Sequence, residues 1–257
     1  MLRSSRAPAL ILLASALVTA CGGSGSSGPK PAPISPAEAA RFLTQTTFGP
    51  VPEAVADLQQ RGYAGWIEHQ IALPVSRQLP YLQALPQPVS QVDRLDAFFQ
   101  NAIGRPDQLR QRMAFALSEI FVVSDQAALF DQPLGLADYY DLLAAQAFGN
   151  FRELMERVTL HPAMGVYLSM LANQKADPDR NIRPDENYAR ELLQLFTIGL
   201  VELRADGSVR LDNDAIPLPT FDQAVIEGFA QVNTGWTFGG SPSFFEPSFD
   251  YLRPMEP

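Results

Sequence analysis

The stretch from Asp185 to Gly199, DENYARELLQLFTIG, constrains the fold more than any other part of the chain, because a two-faced helix runs there directly into a β-hairpin. Asp185 follows Pro184 and offers a carboxylate to the free amides of a first turn, and Glu186 adds negative charge at the positive helix end. Tyr188, Leu192, Leu195 and Gly199 recur at the spacing of a stripe that a helix buries. On the flanking faces, Glu186 and Arg190 stand in the favourable order for a side-chain pair, and Asn187, Glu191 and Gln194 form a polar row. Two readings stay open. The cluster is a solvated face whose pairs contribute about 0.2–0.5 kcal/mol each, or an inward one in which the planar fork of Arg190 holds a carboxylate or phosphate.

Directly after this helix, Val201-Glu202-Leu203-Arg204 and Ser208-Val209-Arg210-Leu211 flank Ala205-Asp206-Gly207, a three-residue loop with glycine where a left-handed backbone is favoured. That loop sets the register: Leu203 opposite Val209, Glu202 opposite Arg210 and Val201 opposite Leu211. The segment from Asp212 to Pro219 reads as a loop.

Helix signals recur along the rest of the chain. Ser35 and Glu38 form a capping box with Pro36 at the first helical position, and this helix ends near Gly49-Pro50. A second helix runs from Pro52 to Gly62, and a third carries Trp66, Ile67 and Ile71. Leu73 to Val89 holds four prolines and reads as a loop or crossover. Val92 to Ile103 is predicted helical. Asp107 opens a stronger helix with Leu109, Met113, Leu117, Ile120 and Phe121 on one side and Arg110 and Arg112 on the opposite flank. Leu136 to Phe148, Phe151 to Thr159 and Pro162 to Leu171 read as further helices, and Thr220 with Gln223 caps a last one through Val225, Phe229 and Val232. The expected fold is mainly α, a multi-helix orthogonal array with one small β-hairpin at about residues 200–212. With 257 residues and 46% hydrophobic content, the chain can bury a sizeable core.

The N-terminus has a different character. Arg3 and Arg6 precede the apolar run from Ala9 to Leu17, too short to span a bilayer with ease and arranged like a cleaved export signal. Leu17-Val18-Thr19-Ala20-Cys21 resembles the bacterial lipobox, which implies a signal peptide over residues 1–20 and a lipid anchor on Cys21. Residues 21–35 then form a Gly/Ser/Pro tether reaching on the order of 20 Å as a coil, ahead of a helical domain over 36–257. Gly22, in place of an aspartate, implies by the same resemblance sorting to the outer membrane, so the membrane is an expected partner through Cys21. Cys21 is the only cysteine, and once lipidated it leaves no thiol for disulfides, catalysis or metal. Loss of Arg3 and Arg6 leaves 17 basic against 28 acidic residues, a formal net charge of -11, which disfavours nucleic acid as a partner. The chain closes on Met255-Glu256-Pro257 without a helix stop or polar tail, as expected of a stop inside a domain.

Four segments, ARFLTQTTFGP, HPAMGVYLSMLANQKADP, RPDENYARELLQLFTIGLVEL and NTGWTF, together resemble the bacterial domain of unknown function 1800 family, in that family's order and over roughly Pro36 to Pro257. The resemblance implies an exported, mostly helical protein, often encoded beside a second exported family that then becomes a candidate partner. Family members usually run on to a histidine-aspartate-glycine-lysine segment that this sequence lacks, and Phe196 stands where many carry a histidine, which weakens the case for a shared metal site.

Candidate chemistry is sparse. His161, before Pro162 at a helix entry, is an acid, base or anion ligand in one reading and a helix cap in the other. Asp177, Asp179 and Asn181 imitate the opening of a calcium loop, but Ile182 and Tyr188 stand where that loop needs glycine and glutamate. With two histidines and no HExxH, a zinc site lacks ligands, and no phosphate loop, nucleophile elbow or dinucleotide pattern implies a cofactor. Glu186 and Glu191 diverge by about 140° around one helix. Three functions therefore stay open: an envelope binding or assembly component using Arg190 and Asn187, a hydrolase using His161, Glu186, Glu191 and Arg190, or a purely structural cluster.

Overall fold

The computed structural model describes residues 33–257. The expected signal peptide, Cys21 and most of the tether lie outside the described residues. Ten α-helices are present among them: α1 (Pro36–Thr46), α2 (Pro52–Ala72), α3 (Leu79–Ala84), α4 (Gln91–Gly104), α5 (Gln108–Ile120), α6 (Pro133–Gln146), α7 (Phe151–Leu160), α8 (Pro162–Tyr167), α9 (Asn187–Gln194) and α10 (Gln223–Val232). The fold is mainly α, as expected.

Local chemistry accounts for most boundaries. Ser35 and Glu38 close the predicted capping box on α1, with the Glu38 amide donating to Ser35 Oγ at 3.3 Å and the Ser35 amide donating to Glu38 Oε2 at 2.9 Å. Gly62, non-helical at φ 73° and ψ 170°, breaks α2 into two helical halves where the sequence predicts two helices. The proline-rich stretch from Leu73 to Val89 is not all loop: α3 forms inside it, because the amides of Gln78 and Leu79 that enter its first turn are taken up by the Asp141 carboxylate at 2.7 and 2.9 Å. In α5 the buried side chains are Gln111 and Ala114, while Met113 and Ile120 face solvent. Arg110 turns inward, donating to the carbonyls of Ala144 and Ile71 with its guanidinium over Phe148. Asp222, not Thr220, caps α10, accepting from the Val225 amide at 3.0 Å, and the Thr220 hydroxyl donates to the Gly199 carbonyl instead.

The organising helix is α6, whose packing partners include α3, α4, α5, α7 and α8. It is buried on nearly every side, through Leu136, Ala137, Tyr139, Asp141, Leu143 and Ala144. The main core joins it to Phe121, Val158, Met164, Tyr188, Phe196 and Met255. A smaller core holds Ala39, Leu43, Leu58 and Trp66 between α1 and α2.

The predicted hairpin is partly replaced. Leu203 pairs with Val209 and Arg210 sits beside Glu202, with Gly207 at φ 82° in the turn, as the register requires. Val201, however, pairs with Pro219 and Leu211 pairs with Pro217. The supposed loop is a third extended segment, and the three close on themselves: Arg210 donates to the Glu202 carbonyl, Leu218 to Arg210 and Glu202 to Leu218, at 2.8–2.9 Å. Prolines at 217 and 219 leave the intervening Leu218 amide to make the bond.

Asn173 ties three distant stretches together. Buried to 6% exposure, it accepts from the Asp185 amide at 2.8 Å, donates to the Asp185 carbonyl at 3.2 Å, and takes the Gly235 amide on its own carbonyl at 2.9 Å. Asn173→Ala therefore leaves the Asp185 amide and carbonyl without these partners and is expected to destabilise the protein by about 1–3 kcal/mol in thermal or urea unfolding.

Candidate functional site

The α9 helix begins one turn position later than its sequence suggests: Glu186 is the N-cap, and the Asp185 carboxylate accepts from the Asn187 amide at 2.8 Å. Its buried face is Tyr188, Ala189 and Leu193, and Leu195 is 53% exposed, because the helix ends at Gln194 and the predicted stripe runs off it. Phe196 lies in the core 5.2 Å from the Phe121 ring. Tyr188 hydrogen-bonds Thr159 at 2.6 Å, and burial pushes its phenol up to about 12.

The polar residues of this stretch separate onto two sides. Arg190 Nη2 donates to Glu186 Oε2 at 2.9 Å, both side chains a third or more exposed, and Gln223 on α10 donates to both Glu186 oxygens at 3.1 and 2.9 Å. Asn187, Glu191 and Gln194 instead line a cavity of about 280 Å³ with Tyr167 and Leu168. Glu186 and Glu191 thus face different surroundings.

His161 belongs to neither group. It caps α8, its Nδ1 accepting from the Ala163 amide at 3.1 Å, and its Nε2 lies 3.3 Å from Asp138 Oδ2. Because Nδ1 accepts, the ring proton sits on Nε2 and is donated to Asp138. The Tyr139 ring stands edge-on 5.1 Å away and the histidine is 5% exposed. Both ring nitrogens are engaged in holding α8 to α6.

The same histidine forms part of the wall of the largest cavity described, about 590 Å³, with Asp138, Asp141, Arg77, Arg157 and Arg253. Glu186, Asn187, Arg190 and Glu191 are not among its lining, so the proposed catalytic set is not assembled in one place. Arg253 is paired with Glu256 at 2.8 Å. Asp141, 3% exposed, has its carboxyl pushed up to about 6, chiefly by burial and against the pull of the Gln78 and Leu79 amides. Asp138 and Asp141 were hidden in the sequence, since the DYYD run on α6 gains meaning only when His161 and α3 are brought to it. Asp177 spends its carboxylate on the amides of Asp179 and Arg180, capping a short 3₁₀ turn.

Residues 41–255 match the family model for a protein of unknown function, DUF1800. The chain belongs to the DUF1800 family. No curated protein and no solved structure matches it. The match covers α9, the His161 cap, Asn173 and the Trp236 segment; three of the family-like segments of this DUF1800 chain meet in the main core through Met164, Tyr188 and Trp236, and the first lies in the smaller core through Leu43.

Asp141 carries a measurable consequence. Its folded-state value lies above that of an unfolded aspartate, so its contribution to stability is full below the ordinary carboxylate range and is lost as pH rises through about 6. Carboxyl NMR of Asp141 should show a midpoint near that value, and unfolding midpoints should fall between about pH 4 and pH 7. Asp141→Asn should flatten that part of the profile while lowering overall stability through the lost α3 contact.

Proposed function

We propose that this DUF1800 chain is an exported lipoprotein of the bacterial envelope, anchored through Cys21 in the outer membrane, and that it works there as a binding or assembly component for a co-encoded exported protein. The lipobox-like Leu17 to Cys21 and the tether after it support the anchor. One observation carries the binding role: the half-exposed Glu186–Arg190–Gln223 network stands where α9 packs on α10, and α10 turns a second apolar face outward. Ile226 and Ala230 are buried, yet Val225, Phe229 and Val232 stay 40%, 39% and 75% exposed. Leu195, Ile198 and Leu200, which follow α9, are each more than half exposed. A helix that is apolar on two sides, beside an exposed fork of arginine, fits a docking surface better than a solvated one.

A hydrolase reading has the His161 cavity in its favour. It requires His161 to release either the Ala163 amide or Asp138 before the ring can act on a substrate. A purely structural reading asks of the exposed Glu186–Arg190 pair only about 0.2–0.5 kcal/mol, as for an ordinary helix-surface pair, and leaves the apolar residues exposed beside it without a role.

Binding of the co-encoded exported protein, measured by calorimetry, tests the proposal. Val232→Lys is expected to weaken it at least about tenfold. Arg190→Ala should weaken it less and change unfolding stability by no more than about 1 kcal/mol. Wild-type affinity in both variants, or an unfolded Arg190→Ala protein, contradicts the docking role. Cys21→Ser should abolish incorporation of labelled fatty acid.

A further inference from the structure

The cavity on the other side of α9 has a specific chemical deficiency. Glu191 lines it, and while its Oε2 is recessed out of reach of water without a hydrogen-bond partner, the other oxygen is the one the cavity can meet. A carboxylate with one recessed oxygen and no cation beside it favours a positive group at the oxygen that it still presents. Asn187, Glu191 and Gln194 lie at successive one-turn steps on one stripe of α9, and all three line the cavity. Among the described residues none of these three side chains makes a hydrogen bond, Asn187 bonding only through its backbone amide, and Tyr167 lines the cavity with them. No cation lines the space, since Arg190, the nearest in sequence, is turned to Glu186. The remaining walls are apolar, made by Val122, Leu168, Leu195 and Phe196.

We infer that this cavity is a binding site for an alkylammonium group, the side chain of a lysine presented by the partner protein. The Glu191 carboxylate and the side-chain carbonyls of Asn187 and Gln194 offer three acceptors from one helix stripe, which matches the three donors of an ammonium. The four apolar walls take the aliphatic stem, as lysine stems lie on apolar surface while their heads reach polar groups. A guanidinium is served less well, because its flat fork seeks both oxygens of a carboxylate and here one of them is recessed. The formal net charge, -9 for the whole sequence and -11 without residues 1–20, makes a basic partner the electrostatically favoured one. This deepens the docking role proposed above by naming the partner's contact group.

Nα-acetyl-lysine methylamide, titrated into the full chain and followed by NMR of the Glu191 carboxyl and the Asn187 and Gln194 side-chain amides, tests the site without any partner protein. Saturable shifts are expected, with millimolar affinity for so small a probe. Glu191→Gln should weaken binding at least about tenfold while leaving the unfolding midpoint equal to or above that of the wild type. The norleucine analogue, which keeps the stem and lacks the ammonium, should not saturate, and the arginine analogue should bind more weakly. The inference is overturned if the norleucine analogue binds equally, if Glu191→Gln binds like the wild type, or if no saturable shift occurs. Because the α10 face is untouched in these experiments, lysine binding with no effect of Val232→Lys on the partner would refute the docking surface alone.

Discussion

Burial of α6 from nearly all sides is the constraint on which the rest of the fold depends. A helix sequestered this fully must find partners for the polar groups that it carries, and apart from the buried Tyr140 hydroxyl, which has none, it does so by tying down its neighbours. Tyr139 donates its hydroxyl to the Phe121 carbonyl at 2.7 Å, fixing the end of α5. Asp141 supplies the oxygens that α3 needs at its N-terminus, and Asp138 receives the imidazole that caps α8. Each is a polar contact made at the edge of the same apolar core, so the positions of three other helices are set by side chains of one. Close packing adds to this: a β-carbon on Gly135 would collide with Tyr251, and one on Gly165 with Met255, so the segment near residue 255 reaches the core only because glycines admit it.

Polar groups around this core divide by task. Those in contact with α6 have structural duties, and even His161, the residue with the most obvious catalytic character, has both nitrogens committed. Polar groups on α9 are less committed. Glu186 and Arg190 remain near solvent, and Glu191 keeps a buried oxygen without a donor. Natural proteins seldom leave buried polar atoms unpaired. The outward apolar residues of α10 and the segment after α9 lie on the same two-helix unit, whose own core is small: Ala189, Leu193, Ile226 and Ala230.

Local rules were readable in the sequence wherever a short motif determines its own geometry. The Ser35 capping box, the break at Gly62 and the glycine turn at Gly207 need only near neighbours, and each formed as its chemistry dictates. The family segments were readable too, and so was the helical class. What stayed hidden depends on distant partners. α6 has no single apolar stripe, because small and large residues surround it, so periodicity gave no hint that it lies at the centre. The stripe assigned to α9 failed at Leu195 because the helix ends one residue earlier. The third extended segment was masked by two prolines, and Asp138 is joined to His161 across 23 residues of chain. No spacing rule could have paired them.

Hydrogen exchange of the chain alone and with the co-encoded exported protein proposed as its partner tests most directly whether a rigid centre on α6 supports a responsive edge on α9 and α10. Amides of α6 should exchange only through global unfolding, those of α9 and α10 through local opening, and the partner should slow the second group without altering the first. Partner protection centred on the His161 cavity, or α6 amides that exchange before those of α9, would contradict it.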